Sequence, residues 1–273
     1  MAPRLLGVSL KMYFGHERAL GWCRDIAALA REHPAVRSGA VELAVMPSYL
    51  AVPEALAILD GVAVVGGQDL AAADKGAFTG EVSGAELAEI GCRVVEVGHA
   101  ERRALFGETD AVVRAKTAAA LRHGLTPFLC VGETDRPDDP ANAADACVRQ
   151  VDDALGDAAD DSDGGAPIVV AYEPRWAIGA PEPAEPAYIR AVCSVLRAHV
   201  RGLTAHPGSR VVYGGSARPG LLTAVADDVD GLFLGRFAHD PAALAAILDE
   251  AHALDAQDGS ADPTAAHPTA SSR

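Results

Sequence analysis

Apolar, β-branched runs recur along the chain, separated by stretches of mixed polarity. They are Leu5 to Leu10, Val41 to Met46, Val62 to Val65, Val94 to Val97, Pro127 to Val131, Ile168 to Tyr172, Val211 to Tyr213 and Leu232 to Leu234. The runs are nearly continuous rather than alternating, which is the pattern of a parallel strand covered on both faces. Between them, apolar positions recur at helical spacing over His16 to Glu32, Val52 to Leu59, Asp110 to Arg122, Asn142 to Leu155, Pro186 to Arg201, Leu221 to Asp227 and Pro241 to Ala253. Strand alternating with helix predicts right-handed βαβ units and a parallel sheet, either closed into a barrel or open and doubly wound. About eight such units in 273 residues favour a single α/β domain, a (β/α)8 barrel over residues 1–253. No G-x-G-x-x-G follows the first run and no G-x-x-x-x-G-K precedes a Ser or Thr, which weighs against an open nucleotide-binding sheet.

Two segments fall outside this rhythm. Asp135 to Asp163 holds ten acids against Arg136 and Arg149 and ends in a loop-like D-D-S-D-G-G. Past Ala253 the chain is mostly Ala, Asp, Ser, Thr and Pro without a periodic apolar face, so residues 254–273 are expected to form a disordered tail.

Charge narrows the partners. With 23 Lys and Arg against 38 Asp and Glu, the formal net charge is −15. A nucleic acid or an anionic membrane would be repelled rather than bound. Residues 135–163 carry −8 of this, and the stretch from Asp249 onward, with five acids and Arg273, carries −4. The remainder is only −3, so the acidity is expected at the periphery, where it leaves a small anionic substrate unopposed. No run reaches the ~18 apolar residues of a membrane span, and Met1-Ala2-Pro3-Arg4 leads straight into the first run, so a cytoplasmic protein is expected. Cys23, Cys92, Cys130, Cys147 and Cys193, an odd count without C-x-x-C, read as reduced thiols. The nine histidines contain no H-x-x-x-H, and no metal site is expected.

In a barrel of this kind the chemistry sits at the carboxyl ends of the strands. The runs are followed by Ser9-Leu10-Lys11-Met12-Tyr13, Gly66-Gly67-Gln68-Asp69, Gly98-His99-Ala100-Glu101-Arg102-Arg103, Cys130-Val131-Gly132-Glu133, Glu173-Pro174-Arg175-Trp176, Gly214-Gly215-Ser216 and Gly235-Arg236. Glu173 follows a wholly apolar strand, and a carboxylate held where water can be excluded suits a general base. Taken alone it is equally a surface glutamate at a loop start. His99 is either an acid, an electrophile or a packed strand-end histidine. Lys occurs only at 11, 75 and 116, and Lys11, just past a strand end, is either a fixed cation for an anionic substrate or a solvated side chain. The glycines at the seventh and eighth strand ends are placed to bind phosphate through backbone N–H groups, or simply to turn the chain.

Several longer motifs occur in one order: L-K-M at 10–12, G-A-F-T-G-E at 76–81, G-H-x-E-R-R at 98–103, A-Y-E-P followed by Trp176-Ala177-Ile178-Gly179, and Y-G-G-S at 213–216. In these the chain resembles the triosephosphate isomerase family over about residues 5–250. That family is itself the reference case of a carboxylate base, a neutral histidine and a closing loop, so the roles that follow are carried over by resemblance. The resemblance implies a TIM barrel and a cofactor-independent aldose–ketose isomerase of a small phosphosugar. It implies that Glu173 takes the proton alpha to the carbonyl and returns it to the neighbouring carbon. His99, as neutral imidazole, shuttles protons between the oxygens, and Lys11 stabilises the enediolate. The loop from Pro174 to about Ala184 closes over the substrate, and backbone N–H groups of Gly179, Ser216 and Gly235 grip the phosphate. Gly214, Gly215, Arg236 and Ser9 are further substrate-binding positions, and Glu101 and Cys130 support the site. Thr79, in the 76–81 loop, implies a homodimer in which that loop reaches the neighbouring site.

Several positions depart from the family pattern. Ser9 and Tyr13 stand where the family has Asn, Ala100 where it has Ser, and Asp69 where it has Asn. Arg175 lies in a lid that is otherwise apolar, the far hinge is Ala180-Pro181-Glu182-Pro183, and Arg236 replaces a second glycine. These changes surround the three chemical groups without touching them. They leave the reaction in place and open the choice of substrate: triose phosphates, or a tetrulose phosphate, L-erythrulose 1-phosphate going to D-erythrulose 4-phosphate. Relatives acting on four-carbon ketose phosphates of erythritol-type catabolism share the Gly-Arg of the last motif. A phosphosugar-binding protein without turnover is the third reading.

Overall fold

A computed structural model describes residues 2–156, 165–180 and 182–260, with side chains placed to Gln257 in the last helix. The eight strands are β1 (Arg4–Ser9), β2 (Val41–Met46), β3 (Val64–Gly67), β4 (Val94–Val97), β5 (Thr126–Val131), β6 (Val169–Tyr172), β7 (Arg210–Tyr213) and β8 (Gly231–Leu234). They are all parallel and close in sequence order into a barrel, β8 returning to β1 through Leu6↔Leu232 and Val8↔Leu234. The helices are α1 (His16–Glu32), α2 (Pro34–Arg37), α3 (Val52–Ile58), α4 (Gly84–Glu89), α5 (Ala100–Phe106), α6 (Asp110–Arg122), α7 (Pro140–Leu155), α8 (Pro186–Arg201), α9 (Leu221–Val225) and α10 (Pro241–Ser260).

The continuous apolar runs have the cause inferred for them, because successive side chains alternate between two cores. One set, including Leu6, Val8, Val95, Val97 and Val211, packs outward under the helices. The other, including Leu5, Met46, Val94, Phe128, Cys130, Ala171, Val212 and Phe233, fills the lumen. Close packing in the lumen depends on Gly7: a Cβ there would lie 2.7 Å from the Phe128 ring and 2.9 Å from that of Phe233.

Three expectations shift. The third strand begins at Val64 and runs through the glycine pair to Gly67, because a Cβ on Gly66 would stand 2.0 Å from the carbonyl oxygen of Val94 on the adjacent strand. The last helix continues to Ser260 rather than ending at Ala253, its added turns anchored by Leu254 against the outer core. That corrects the expected start of the tail, whose remaining residues 261–273 lie outside the described residues, as does the 157–164 part of the acidic segment. Finally, α5 forms directly after His99, where the sequence pattern shows only a strand end. All five cysteines are free and buried. Among the described residues no helix is long and apolar enough to cross a membrane.

Candidate active site

The loops after β1, β4, β6, β7 and β8 enclose a small cavity of about 80 Å3, a size for a short-chain ligand rather than a nucleotide. Ser9, Lys11, His99, Glu101, Glu173, Gly179, Gly214, Ser216, Gly235 and Arg236 line it. Among the described residues, Lys11 (φ 50°) and Ser216 (φ 52°) are the non-glycine residues with left-handed backbone, and both lie here. Such conformations persist where the surrounding structure holds them for a purpose.

Three functional groups meet. Lys11 Nζ donates to Glu101 Oε1 at 2.8 Å and approaches His99 Nε2 at 3.2 Å. His99 caps α5, its Nδ1 accepting from the Glu101 backbone N–H at 3.1 Å. An Nδ1 that accepts leaves Nε2 to carry the ring N–H. Both Nε2–H and the Lys11 ammonium are therefore donors, converging where a substrate oxygen would accept from both. Burial works against the Lys11 charge, but the carboxylates of Glu173, Glu101 and Glu96 outweigh it and hold its pKa above the ordinary value.

Glu173 is buried just past β6, with Oε1 3.5 Å from His99 Nε2. Two glycines make its place. A Cβ on Gly132 would lie 2.0 Å from the Glu173 carbonyl oxygen, and one on Gly214 would lie 2.8 Å from Cγ and 2.9 Å from Oε1. Its other oxygen, Oε2, takes no hydrogen bond from an N–H or hydroxyl among the described residues. Ala100, which borders the same cleft, has no hydroxyl to offer it. Cys130 borders Glu173 from that side, outside the main cavity, with its thiol pushed well above its usual pKa by burial and then by Glu173.

The segment after Glu173 folds over the cavity. Arg175–Ala177 form a 3-10 turn, Ile178 and Gly179 line the cavity, and Gly179 takes φ 73°. The Ser216 hydroxyl is shared between the carbonyls of Ala177 (2.9 Å) and Ala180 (3.2 Å), and Tyr213 Oη accepts from the Ala184 N–H at 3.2 Å. Arg236 sits at the exposed rim, its guanidinium 3.9 Å from where a Gly179 Cβ would be, and makes no ion pair among the described residues. Gly215 is not brought to the cavity: a Cβ there would meet Tyr213 Oη at 2.5 Å, so it serves the turn instead. Thr79 is exposed and does not line this cavity.

Two glutamates matter that the motifs did not assign. Glu133, at the end of β5, accepts from Trp176 Nε1 (2.8 Å), Tyr188 Oη (2.9 Å) and Tyr172 Oη (3.1 Å), tying the lid's base to the barrel. Glu96, on β4, points into the lumen and is only 3% exposed. Burial pushes its carboxyl up to about 8, with Ser9 and Lys11 pulling it down and Glu173 and Glu101 adding to the rise. Lys116, the second of the three lysines, is buried between Asp69 (2.7 Å) and Glu108 (2.6 Å), and belongs to the fold rather than the cavity.

The family profile described as triosephosphate isomerase matches residues 4–251. The chain is 51% identical to the L-erythrulose-1-phosphate isomerase of Pectobacterium atrosepticum, covering 92% of this chain and 97% of that one. It is 40% identical to the L-erythrulose-1-phosphate isomerase of Rhizobium etli over 85% and 86% of the two chains. To the triosephosphate isomerase of Moorella thermoacetica it is 39% identical over 83% and 91%. The crystal structure of triosephosphate isomerase from Bartonella henselae superposes with a TM-score of 0.75 at 30% identity, covering 91% of this chain and 99% of that one.

Proposed function

The chain belongs to the triosephosphate isomerase family, and on that premise we propose that it isomerises L-erythrulose 1-phosphate to D-erythrulose 4-phosphate through an enediolate. The convergence of Lys11, His99 and Glu173 on one small cavity carries the reaction. The choice of a four-carbon substrate over a triose follows the 51% identity with the Pectobacterium protein, against 39% with the Moorella one.

The substrate carries its carbonyl on C2 and the labile hydrogen on C3. Glu173 takes the C3 proton, and the charge that develops on the C2 oxygen is met by Lys11 and by His99 Nε2–H. Glu173 then returns a proton to C2. His99 passes the hydroxyl proton from the C3 oxygen to the C2 oxygen, which leaves the carbonyl on C3. Numbered from the other end, that product is D-erythrulose 4-phosphate. The phosphate lies among the backbone N–H groups of Gly179, Ser216 and Gly235, with Arg236 adding a fork of donors. An enediolate next to a phosphate ester can expel phosphate in water, which gives the closed lid its purpose.

A homodimer belongs to the same reading. Met12 is 93% exposed, and Tyr13, Phe78, Leu105 and Phe106 are exposed around the rim. Such apolar side chains, with the 76–81 loop that carries Thr79, suit a second copy. A cytoplasmic setting fits five free buried thiols, and the substrate places the enzyme in catabolism of four-carbon polyols such as erythritol rather than in glycolysis. Steady-state kinetics test the substrate: kcat/KM is expected to be higher for L-erythrulose 1-phosphate than for glyceraldehyde 3-phosphate. A triose value near the diffusion limit, with slow or absent tetrulose turnover, overturns it.

A further inference from the structure

On β4 the inward-facing residues are Val94 and Glu96, so a carboxyl sits inside the barrel among the lumen's apolar side chains. At the opposite mouth of the lumen Glu42 is paired with Arg210 at 2.8 Å. Glu96 has no such close ion pair among the described residues, and its Oε1 is buried. Beside it is Ser9, at the end of β1, 2% exposed and lining the cavity, its hydroxyl close enough to the Glu96 carboxyl to draw that pKa down, with no closer partner for its Oγ among the described residues. A polar pair that leans only on itself inside an apolar lumen keeps donor and acceptor capacity open to a ligand that reaches it.

The cavity has a direction. Gly179 and Arg236 are at the exposed rim, Lys11, His99 and Glu173 are below it, and Ser9 is at the floor. A substrate held by its phosphate at the rim and reacting at the level of Glu173 sends any further carbon down towards Ser9. L-Erythrulose 1-phosphate has such a carbon, a terminal CH2OH beyond the reacting pair, and dihydroxyacetone phosphate does not. We propose that Ser9 and Glu96 form the receptor for this terminal hydroxyl and are the specificity determinants for a four-carbon substrate. The inference rests on the tetrulose reading above. The substrate hydroxyl accepts from Ser9 Oγ–H and donates to Glu96 Oε1, inserting between two side chains that otherwise have each other. A triose leaves Ser9 and Glu96 only their contact with each other, and a site built to bond a hydroxyl discriminates against the analogue that lacks it.

The test is the ratio of kcat/KM for L-erythrulose 1-phosphate to that for dihydroxyacetone phosphate. It is measured in the full-length protein and in Ser9→Ala, Glu96→Gln, Glu96→Leu and Ser9→Ala/Glu96→Leu. In Ser9→Ala and Glu96→Leu the ratio is expected to fall about 10- to 100-fold, the cost of one lost bond to a buried hydroxyl. The double variant should be little worse than either single one, because the two side chains act as a unit. Glu96→Gln keeps a donor and an acceptor in the same shape and should retain the ratio within about 5-fold. Equal losses on both substrates, or an unchanged ratio, overturn the proposal while leaving the tetrulose reading standing. A parent protein that turns over only the triose overturns both.

Discussion

Glu96 makes a quantitative prediction about stability. Its carboxyl has a reference pKa of 4.5, and burial in the lumen moves it up to about 8 in the folded protein. Between those two values the folded chain keeps a proton that the unfolded chain releases. Stability therefore falls as pH rises through that window. The contribution is present in full below about pH 4.5 and lost above about pH 8. At about 1.4 kcal/mol per unit the whole window is worth roughly 5 kcal/mol, and less if the denatured chain is compact. Glu96→Gln binds no proton in either state and removes this dependence. Urea unfolding of both proteins at fixed protein concentration, from pH 5 to pH 8.5, gives the difference directly. The parent is expected to lose about 3–5 kcal/mol more than the variant across that range. Parallel curves would refute the reasoning. They would mean that Glu96 is ionised in the fold with Lys11 as its counter-charge, and that no carboxylic acid lies beneath the site at neutral pH.

Other consequences can be measured singly. Gly214→Ala puts a methyl 2.8 Å from Glu173 Cγ, so kcat should fall about 100-fold with the protein still folded; a loss under threefold would mean that the carboxylate has room to spare. Glu133→Leu strips the partners from Trp176, Tyr172 and Tyr188, and should raise KM and lower kcat together, with increased protease cleavage after Pro174 as a second readout. Arg236→Ala should raise KM for the phosphorylated substrate about 10-fold and flatten its salt dependence, with kcat changed less.

Much of this was legible in the sequence because closing a parallel barrel imposes a strong pattern. Val41–Met46 and Val94–Val97 are strands with the boundaries the apolar runs give, and His16–Glu32, Asp110–Arg122 and Pro186–Arg201 are helices as periodicity predicts. Lys11, His99 and Glu173 each stand after a strand, a place that alone leaves a packed or solvated side chain equally open; the motifs around them supply their roles by resemblance, and the structure brings the three to one cavity. What escaped depends on contacts between distant segments. Glu96 lies within a run read as apolar, and only the barrel's register tells that it faces the lumen beside Ser9. Glu133 was visible as a strand-end residue, but its partners Tyr172, Trp176 and Tyr188 lie 39, 43 and 55 positions away. Gly214 and Gly215 are alike in sequence and opposite in role: one clears space for the catalytic carboxylate, and the other only lets the chain pass Tyr213. The end of α10 escapes the pattern because Leu254 is a single apolar side chain in a polar stretch, too little to register as periodicity.

The central claim is that Glu173 moves a carbon-bound proton between neighbouring carbons of a ketose phosphate. The direct measurement is conversion of L-erythrulose 1-phosphate in deuterium oxide, followed by NMR, with the parent protein and with Glu173→Gln. The account predicts D-erythrulose 4-phosphate carrying solvent deuterium on the carbon that was the carbonyl, and a rate at least ~100-fold lower in the variant. Product formed with no deuterium from solvent, or formed as fast by Glu173→Gln, would contradict it.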